Sequence, residues 1–384
     1  MSENNKIKRV RKSIPTNVSC KLWVKAGGRC EYCNTPLWKD SLTQRQMNKA
    51  YISHIVAAQE NGPRGHWFWS KELELDLSNL LLLCDECHNR IDESKHLEHS
   101  VESLREMKKN HEDRIERMCG YKPENKSHII LMGANIGGVI PSINFESIVN
   151  SMLKQGDFPV SDKPICLGIE NSEFKDNSND YWAVNEKQIV SAFNTRVKPL
   201  ISEIGEASFS VFGLATQPLL VKLGTLFSDL QNVKVYQKHR EPDTWDWLER
   251  DGANEFIINR PSDTTKKTVL IFALSANAIS KRIRERLGDQ ASIWVFTAKF
   301  PNNDMLKCEK QLSEFRTLVR SVLDEIRTST GQTILHIFMA MPVACAIELG
   351  RVWMPKADME MVLYDYNTAL DEDVPVITIK NEII

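Results

Sequence analysis

Leu80-Leu-Leu-Leu83 runs straight into Cys84-Asp-Glu-Cys87-His88, and a matching pair, Cys30-Glu-Tyr-Cys33, stands upstream of it. A CxxC holds two thiolates about one turn apart, and two such pairs complete a tetrahedral Cys₄ zinc site with no position left for substrate. Zn²⁺ held by Cys30, Cys33, Cys84 and Cys87 is therefore expected to be structural, and any chemistry must come from residues that this staple holds together. Working outward, Tyr51-Ile-Ser-His54-Ile-Val-Ala57 is a strand candidate carrying His54, and a turn-rich stretch with Gly62-Pro-Arg-Gly65 follows. Leu80–Leu83 is a second strand candidate, and Asp85–Lys95 a helix whose acidic first turn suits the helix dipole. On that helix His88 and Asp92 stand four residues apart and face one side.

A His ending the first strand, an Asn before the second and a His on the helix resemble the HNH (ββα-metal) endonucleases, in their zinc-stapled form. The resemblance implies an Mg²⁺-dependent endonuclease acting on double-stranded DNA. His54 would be the general base, Asn79 would orient its imidazole through a hydrogen bond, and His88 would bind the magnesium that stabilises the leaving 3′ oxygen. Many family members carry an acidic residue just before the catalytic His, where this chain has Ser53. Asp92 is then the compensating magnesium ligand, or else a solvated acid on the helix surface. A zinc module without catalysis is the bland alternative, in which His54 is a core residue and Asn79 a turn cap. His66, His96, His99 and His111 lie outside the pattern and read as surface residues.

The composition bounds the rest. With 384 residues, 42% apolar and 26% charged, the chain is expected to form two or three soluble domains. The net charge of −2 excludes a uniformly basic coat, and the local excess sits in an N-terminal arm, Lys6, Lys8, Arg9, Arg11 and Lys12. That arm is either a phosphate contact or a solvated tail. No apolar segment follows the basic start, and Ile334–Ile347 is too short to cross a bilayer. A cytoplasmic protein without membrane contact is the expectation, with Cys20, Cys119, Cys166, Cys308 and Cys345 as buried small hydrophobes rather than disulfides.

Gly120 and Pro123 stop an amphipathic helix over 101–118 and mark a boundary. A strand candidate at His128–Met132 and a helix at Phe145–Leu153 follow, set aside as a connector, and the glycines from Gly133 to Gly138 read as a plain turn. From about residue 165 the chain repeats its apolar pattern at an offset of roughly 126 residues. Ile165–Ile169 falls on Ala291–Val295, and Ile189, Phe193, Val197 and Leu200 fall on Phe315, Val319, Leu323 and Ile326. Gly205 then falls on Gly331, Phe209–Leu214 on Leu335–Ala340, Leu223-Gly224 on Leu349-Gly350, and Val233 and Val235 on Met359 and Met361. Each half reads strand, helix, strand, helix, strand, a parallel α/β arrangement of Rossmann type, and two such halves create a cleft with approximate twofold symmetry.

Phe212–Tyr236, with Gln237-Lys-His-Arg240 and Trp245-Asp-Trp247 beyond, and Phe338–Gly350 resemble the SAVED domain, a fused pair of CARF-like units. The resemblance implies a sensor of a cyclic oligonucleotide, foremost a cyclic dinucleotide, in antiphage signalling of the CBASS type, with homo-oligomerisation on activation. The expected organisation is an α+β HNH domain at 1–120, a connector at 121–160 and an α/β SAVED domain at 161–384, its halves at about 161–260 and 269–384. Flat faces for bases and cations for phosphates single out Arg240, Trp245, Trp247, Lys299 and Tyr364 as ligand contacts. Core packing of the two tryptophans and solvation of the two cations are the competing readings. A restriction-type nuclease whose second half reads DNA is the alternative function, disfavoured by the net −5 of residues 121–384.

Overall fold

The computed structural model describes residues 12–40, 42–94, 98–120, 122–137, 139, 141–169, 174–204, 207–227, 232–248 and 255–380. The positions of Lys6, Lys8, Arg9, Arg11, His96, Gly138 and Gly205 lie outside the described residues. The chain divides into two compact units, residues 1–121 and 122–384.

The N-terminal unit contains α1 (Thr16–Lys25), β1 (Ala50–His54), α2 (Trp69–Glu72), β2 (Leu80–Cys84), α3 (Asp85–Asn89) and α4 (Val101–Cys119). β1 and β2 pair antiparallel with His54 opposite Leu80 and Ala50 opposite Cys84. The pairing brings the end of β1 to the start of β2 and sends the chain from β2 directly into α3. Cys84 is the N-cap of that helix, and Asp85 and Glu86 fill its first turn. The expected single helix to Lys95 is broken, since after Asn89 the chain widens into a π-turn, Arg90–Ser94. Leu80 to Leu83 are fully buried between this helix and α1 and α4, which explains their continuous apolar run. His111, expected at the surface, lies buried on α4 with its Nε2 donating to the Ala26 carbonyl at 2.9 Å, while Met118 on the same helix is exposed.

The C-terminal unit begins with residues set aside from the sequence as a connector. β3 (Lys126–Gly133) is in fact a central strand of the first sheet, covered by α5 (Phe145–Lys154). It pairs in parallel with β4 (Phe158–Pro159), β5 (Ile165–Cys166) and β6 (Phe209–Leu214). β6 in turn pairs with β7 (Val233–Tyr236). α6 (Asn179–Arg196) and α7 (Lys198–Ile204) precede β6, and α8 (Gln217–Leu226) follows it. The second half repeats this plan with β8 (Phe256–Asn259), β9 (Lys267–Ala273), α9 (Ala278–Leu287), β10 (Ala291–Ala298), α10 (Glu309–Thr330), β11 (Ile334–Ala340), α11 (Val343–Val352), β12 (Glu360–Asn367) and β13 (Glu372–Ile379). Its sheet order is β13-β12-β11-β9-β10-β8, parallel inside and antiparallel at both edges.

α8 and α11 pack against each other at a crossing with almost no space. A Cβ added to Gly224 would lie 2.0 Å from the Ile347 carbonyl oxygen, and one added to Gly350 would lie 2.0 Å from that of Val221. Exchanging the halves maps each of these contacts onto the other. The paired glycines of the sequence repeat thus mark the pseudo-twofold axis itself. Cys308 and Cys345 are buried as expected of small hydrophobes, whereas Cys20 and Cys119 are exposed and Cys166 half-buried. Among the described residues no helix is long and apolar enough to cross a membrane.

Candidate functional sites

In the N-terminal unit the thiolates of Cys30, Cys33, Cys84 and Cys87 lie within 4.8 Å of one another. Cys33 Sγ and Cys84 Sγ are 3.7 Å apart, close to the roughly 3.8 Å edge of a tetrahedron with 2.3 Å zinc–sulfur bonds. The donor set therefore fits Zn²⁺. Burial pushes the Cys30 thiol up to about 11 and that of Cys87 higher, the cost of a thiolate held without a cation. Glu31 between the first pair accepts from the Leu82 amide at 2.6 Å and from Lys108 Nζ at 3.2 Å, which ties this knuckle to β2 and α4.

At the other end of the strand pair from Cys84, opposite Leu80, His54 is only 6% exposed at the end of β1. Its Nε2 lies 2.9 Å from the Glu74 carbonyl oxygen. That acceptor places the proton on Nε2 and leaves the basic lone pair on Nδ1. Asn79 does not bond to the imidazole as the sequence suggested. Its Oδ1 accepts from the Val56 amide at 2.8 Å, and its Nδ2 donates to the Val56 and Leu73 carbonyls at 2.9 and 3.1 Å. With both amide protons committed to backbone, Asn79 acts on His54 through the chain, by fixing the segment that carries the Glu74 carbonyl.

Ser53 and Asp92 are brought together, with Ser53 Oγ donating to Asp92 Oδ2 at 2.5 Å. The carboxylate missing beside His54 in sequence is thus supplied from the helix in space. His88 Nε2 lies 3.6 Å from the same oxygen, and the His88 ring stacks on Tyr51 at 5.2 Å. Sequence reasoning missed Arg64, whose side chain is 8% exposed. Its guanidinium donates to Asp92 Oδ1 at 2.5 Å and to the carbonyls of Ile55 and Ile91 at 2.7 and 2.9 Å. It joins the end of β1 to the helix that bears His88. Its signal was the Gly62-Pro-Arg-Gly65 turn, read only as a loop.

In the C-terminal unit a cleft of about 800 Å³ opens at the carboxyl ends of β6, β7, β11 and β12. The first turns of α8 and α11 both face it, through Thr216 and Gln217 on one side and Pro342 and Val343 on the other. Neither N-cap residue caps its helix with its own side chain, and in the first turn of α11 the Ala344 amide donates to Gln237 Oε1 at 3.1 Å. Two helix dipoles, one from each half, therefore point their positive ends into one cavity. Arg240 lines the cleft and is exposed, and among the described residues no hydrogen bond or ion pair engages its guanidinium. Lys238 lines it as well, with its ammonium ion-paired to Asp243 and 5.5 Å from the Trp245 ring.

The other expected ligand contacts lie outside the cavity lining. Trp245, 1% exposed, packs edge-on against Phe212 in the core beneath Lys238, because its indole continues an apolar cluster with Ile148 and Met152. Trp247 is half-buried against the main core. Lys299 stands at the exposed end of β10 over Phe300, and Tyr364 stacks on Phe338 at 4.3 Å and bonds to His336. The strand alternation of β12 explains the last case, since neighbouring side chains point to opposite faces and Asp365 rather than Tyr364 reaches the cleft.

Two helix starts, one from each half, thus face one cleft across a pseudo-twofold axis. Residues 193–379 match the SAVED family, the SMODS-associated and fused to various effectors sensor domain. Among solved structures, the chain is similar to the Acinetobacter baumannii Cap4 SAVED/CARF-domain containing receptor with the cyclic trinucleotide 2′3′3′-cAAA. That likeness has 14% identity and a TM-score of 0.41, covering 82% of this chain and 66% of that one. The Moraxella osloensis Cap4 receptor is similar at 13% identity and TM-score 0.36, over 73% of this chain and 60% of that one. The chain thus spans less than two thirds of the length of these receptors. No curated protein matches it.

Proposed function

We propose that this chain is an effector of CBASS-type antiphage signalling, in which the SAVED region binds a cyclic oligonucleotide and the N-terminal unit then cleaves double-stranded DNA as a zinc-stapled HNH endonuclease. The observation that carries the sensor reading is the cleft, where two helix N-termini related by a pseudo-twofold axis meet an unpaired Arg240. A closed ring of nucleotides has phosphates at similarly related positions, and its anionic phosphates suit the helix starts and the Arg240 side of the cleft. The Cap4 receptor named above is described with a cyclic trinucleotide, and the same ligand class is carried over here.

The nuclease reading rests on the strand–strand–helix arrangement with His54, His88 and Asp92 beside a Cys₄ cluster. In it, Nδ1 of His54 takes the proton from the attacking water, and the bond to Glu74 holds the ring so that this nitrogen is the basic one. His88 and Asp92 are the residues that would hold Mg²⁺, with Asp92 retaining lone pairs beyond those given to Ser53 and Arg64. When bound, the ion neutralises charge on the phosphate undergoing hydrolysis. Purified full-length protein incubated with plasmid, Mg²⁺ and single cyclic di- and trinucleotides tests the whole reading. Cleavage that appears only with one class of cyclic nucleotide is expected. Full cleavage without any of them would make the C-terminal unit something other than a sensor.

A further inference from the structure

Both ends of the segment 64–74 are fastened at the candidate nuclease site. Arg64 donates to Asp92 Oδ1 at 2.5 Å and to the His54 carbonyl at 3.4 Å, and the Glu74 carbonyl oxygen lies 2.9 Å from His54 Nε2. Between these anchors the chain presents His66, Trp67, Phe68 and Trp69, all exposed. Trp67 is 75% exposed, Phe68 44% and Trp69 50%. Their rings form one continuous cluster, with His66 to Trp67 at 5.8 Å, Trp67 to Phe68 at 5.6 Å and Phe68 to Trp69 at 4.9 Å. Leaving so much aromatic surface in water forfeits burial energy, and such a patch marks a contact surface.

Hydrogen bonds within the turn hold the cluster in place. His66 Nδ1 accepts from the Phe68 and Trp69 amides, both at 3.2 Å, and the His66 amide donates to the buried Ser70 Oγ at 2.9 Å. Gly65 permits the tight entry, since a Cβ there would lie 2.2 Å from the Glu60 carbonyl oxygen. A face ordered in advance loses little conformational freedom on binding.

Placement and charge decide the occupant. Trp67 follows Arg64 by three residues, so their Cα atoms are no more than about 11 Å apart, close to the width of the DNA major groove. A duplex with a phosphate at His88 and Asp92 passes within reach of these rings. Residues 64–71 include Arg64, His66 and Lys71 and no acidic side chain, as suits a surface laid against phosphates. A further exposed ring flanks the same site, since Tyr51, 45% exposed, stacks on His88 at 5.2 Å. Exposed rings in the path of a nucleic acid bind it by stacking on bases, which must first leave their own stack.

We infer that the His66–Trp69 turn is a base-stacking surface that engages DNA beside the scissile phosphate and favours sites where bases unstack cheaply. The inference rests on the nuclease reading above and extends it to the form of DNA engaged. Fluorescence anisotropy on full-length protein would measure affinity for a short paired duplex and for the same duplex with one mismatch, where unstacking costs least. No Mg²⁺ is added, and each cyclic di- and trinucleotide is supplied in turn. The mismatched duplex should bind more tightly. Trp67→Ala should weaken that binding at least about fivefold, the lower range for one stacked base, and remove the preference. Trp67→Phe, which keeps a ring, should retain most of it, whereas Trp67→Leu, apolar but not flat, should not. Equal affinity of the wild type for both duplexes, or a Trp67→Ala protein that keeps the preference, overturns the stacking surface and leaves the nuclease standing on its plasmid assay. A Trp67→Ala protein with altered sedimentation and unaltered DNA affinity would make the patch a protein interface instead. If the wild type neither binds nor cuts DNA with any ligand, the nuclease reading falls, and the stacking surface with it.

Discussion

His54 and Asn79 sit within a few residues' reach of each other and should fail in different ways when replaced. His54→Ala removes the base and should reduce cleavage by on the order of 10²–10⁴ in protein that still folds, with some loss of melting temperature because the buried bond to the Glu74 carbonyl is gone. A His54→Ala protein cutting within about threefold of wild type in a plasmid assay would exclude His54 as the base. Asn79→Ala instead leaves the Val56 and Leu73 backbone groups unpaired in a buried setting, at about 1–3 kcal/mol. Its loss should show first in thermal melts of the N-terminal unit, with activity falling as a consequence. Asp365 gives a prediction in the resting protein. Burial, then repulsion from Asp176, raises its carboxyl from 3.8 to about 7. The folded state therefore holds a proton that the unfolded chain releases earlier, so this group's contribution to stability falls as pH rises from about 4 to 7. Asp365→Asn should flatten that dependence and raise the melting temperature at pH 8 by about 2–4 °C for each kcal/mol recovered, with little change at pH 4. An unchanged difference between melts at the two pH values would show that Asp365 ionises normally.

At the scale of elements, the parts that were legible in the sequence are those whose function fixes spacing. Two CxxC pairs admit few geometries, and the thiolates come together as the spacing demanded. The repeat was legible where α8 and α11 must touch, because close helix contact requires glycine at matched positions. β3 escaped because its counterpart, β9, lies further along than 126 residues: the first half carries both α5 and β4 between β3 and β5, whereas only α9 and a short turn separate β9 from β10. The ligand contacts were misjudged for a related reason: sequence shows that Trp245 is flat and large but not that its place is the floor beneath Lys238. Cys84→Ser should lower zinc content and unfold the N-terminal unit, since a small domain gains folding free energy from its metal. Full zinc stoichiometry and activity in that variant would disprove the staple. Gly224→Ala forces a methyl into the Ile347 carbonyl and should cost at least about 1–3 kcal/mol, read as a lower unfolding midpoint of the C-terminal unit.

For the whole molecule, the proposed nuclease would be harmful unless restrained, so on that reading the resting chain is expected to be inactive. A ligand shifts such an equilibrium only through different affinities for the two states. Cyclic nucleotide should therefore raise the sedimentation coefficient and the cleavage rate over the same concentration range, and Arg240→Ala should shift both curves together. Separated curves would mean that assembly and catalysis are independent.

The crossing of α8 and α11 limits how that signal is transmitted. With backbone against backbone at Gly224 and Gly350 there is no cushion of side chains to absorb a rotation, and closing one half on the other would drive carbonyl oxygens into main chain. The cleft behaves as a mould, not a jaw. On the function proposed above, a bound nucleotide would change the rim, the segments around Arg240 and Tyr366, and would signal by offering a new outer surface to a second copy. Small-angle scattering should accordingly record a jump in particle mass without compaction of the individual C-terminal unit.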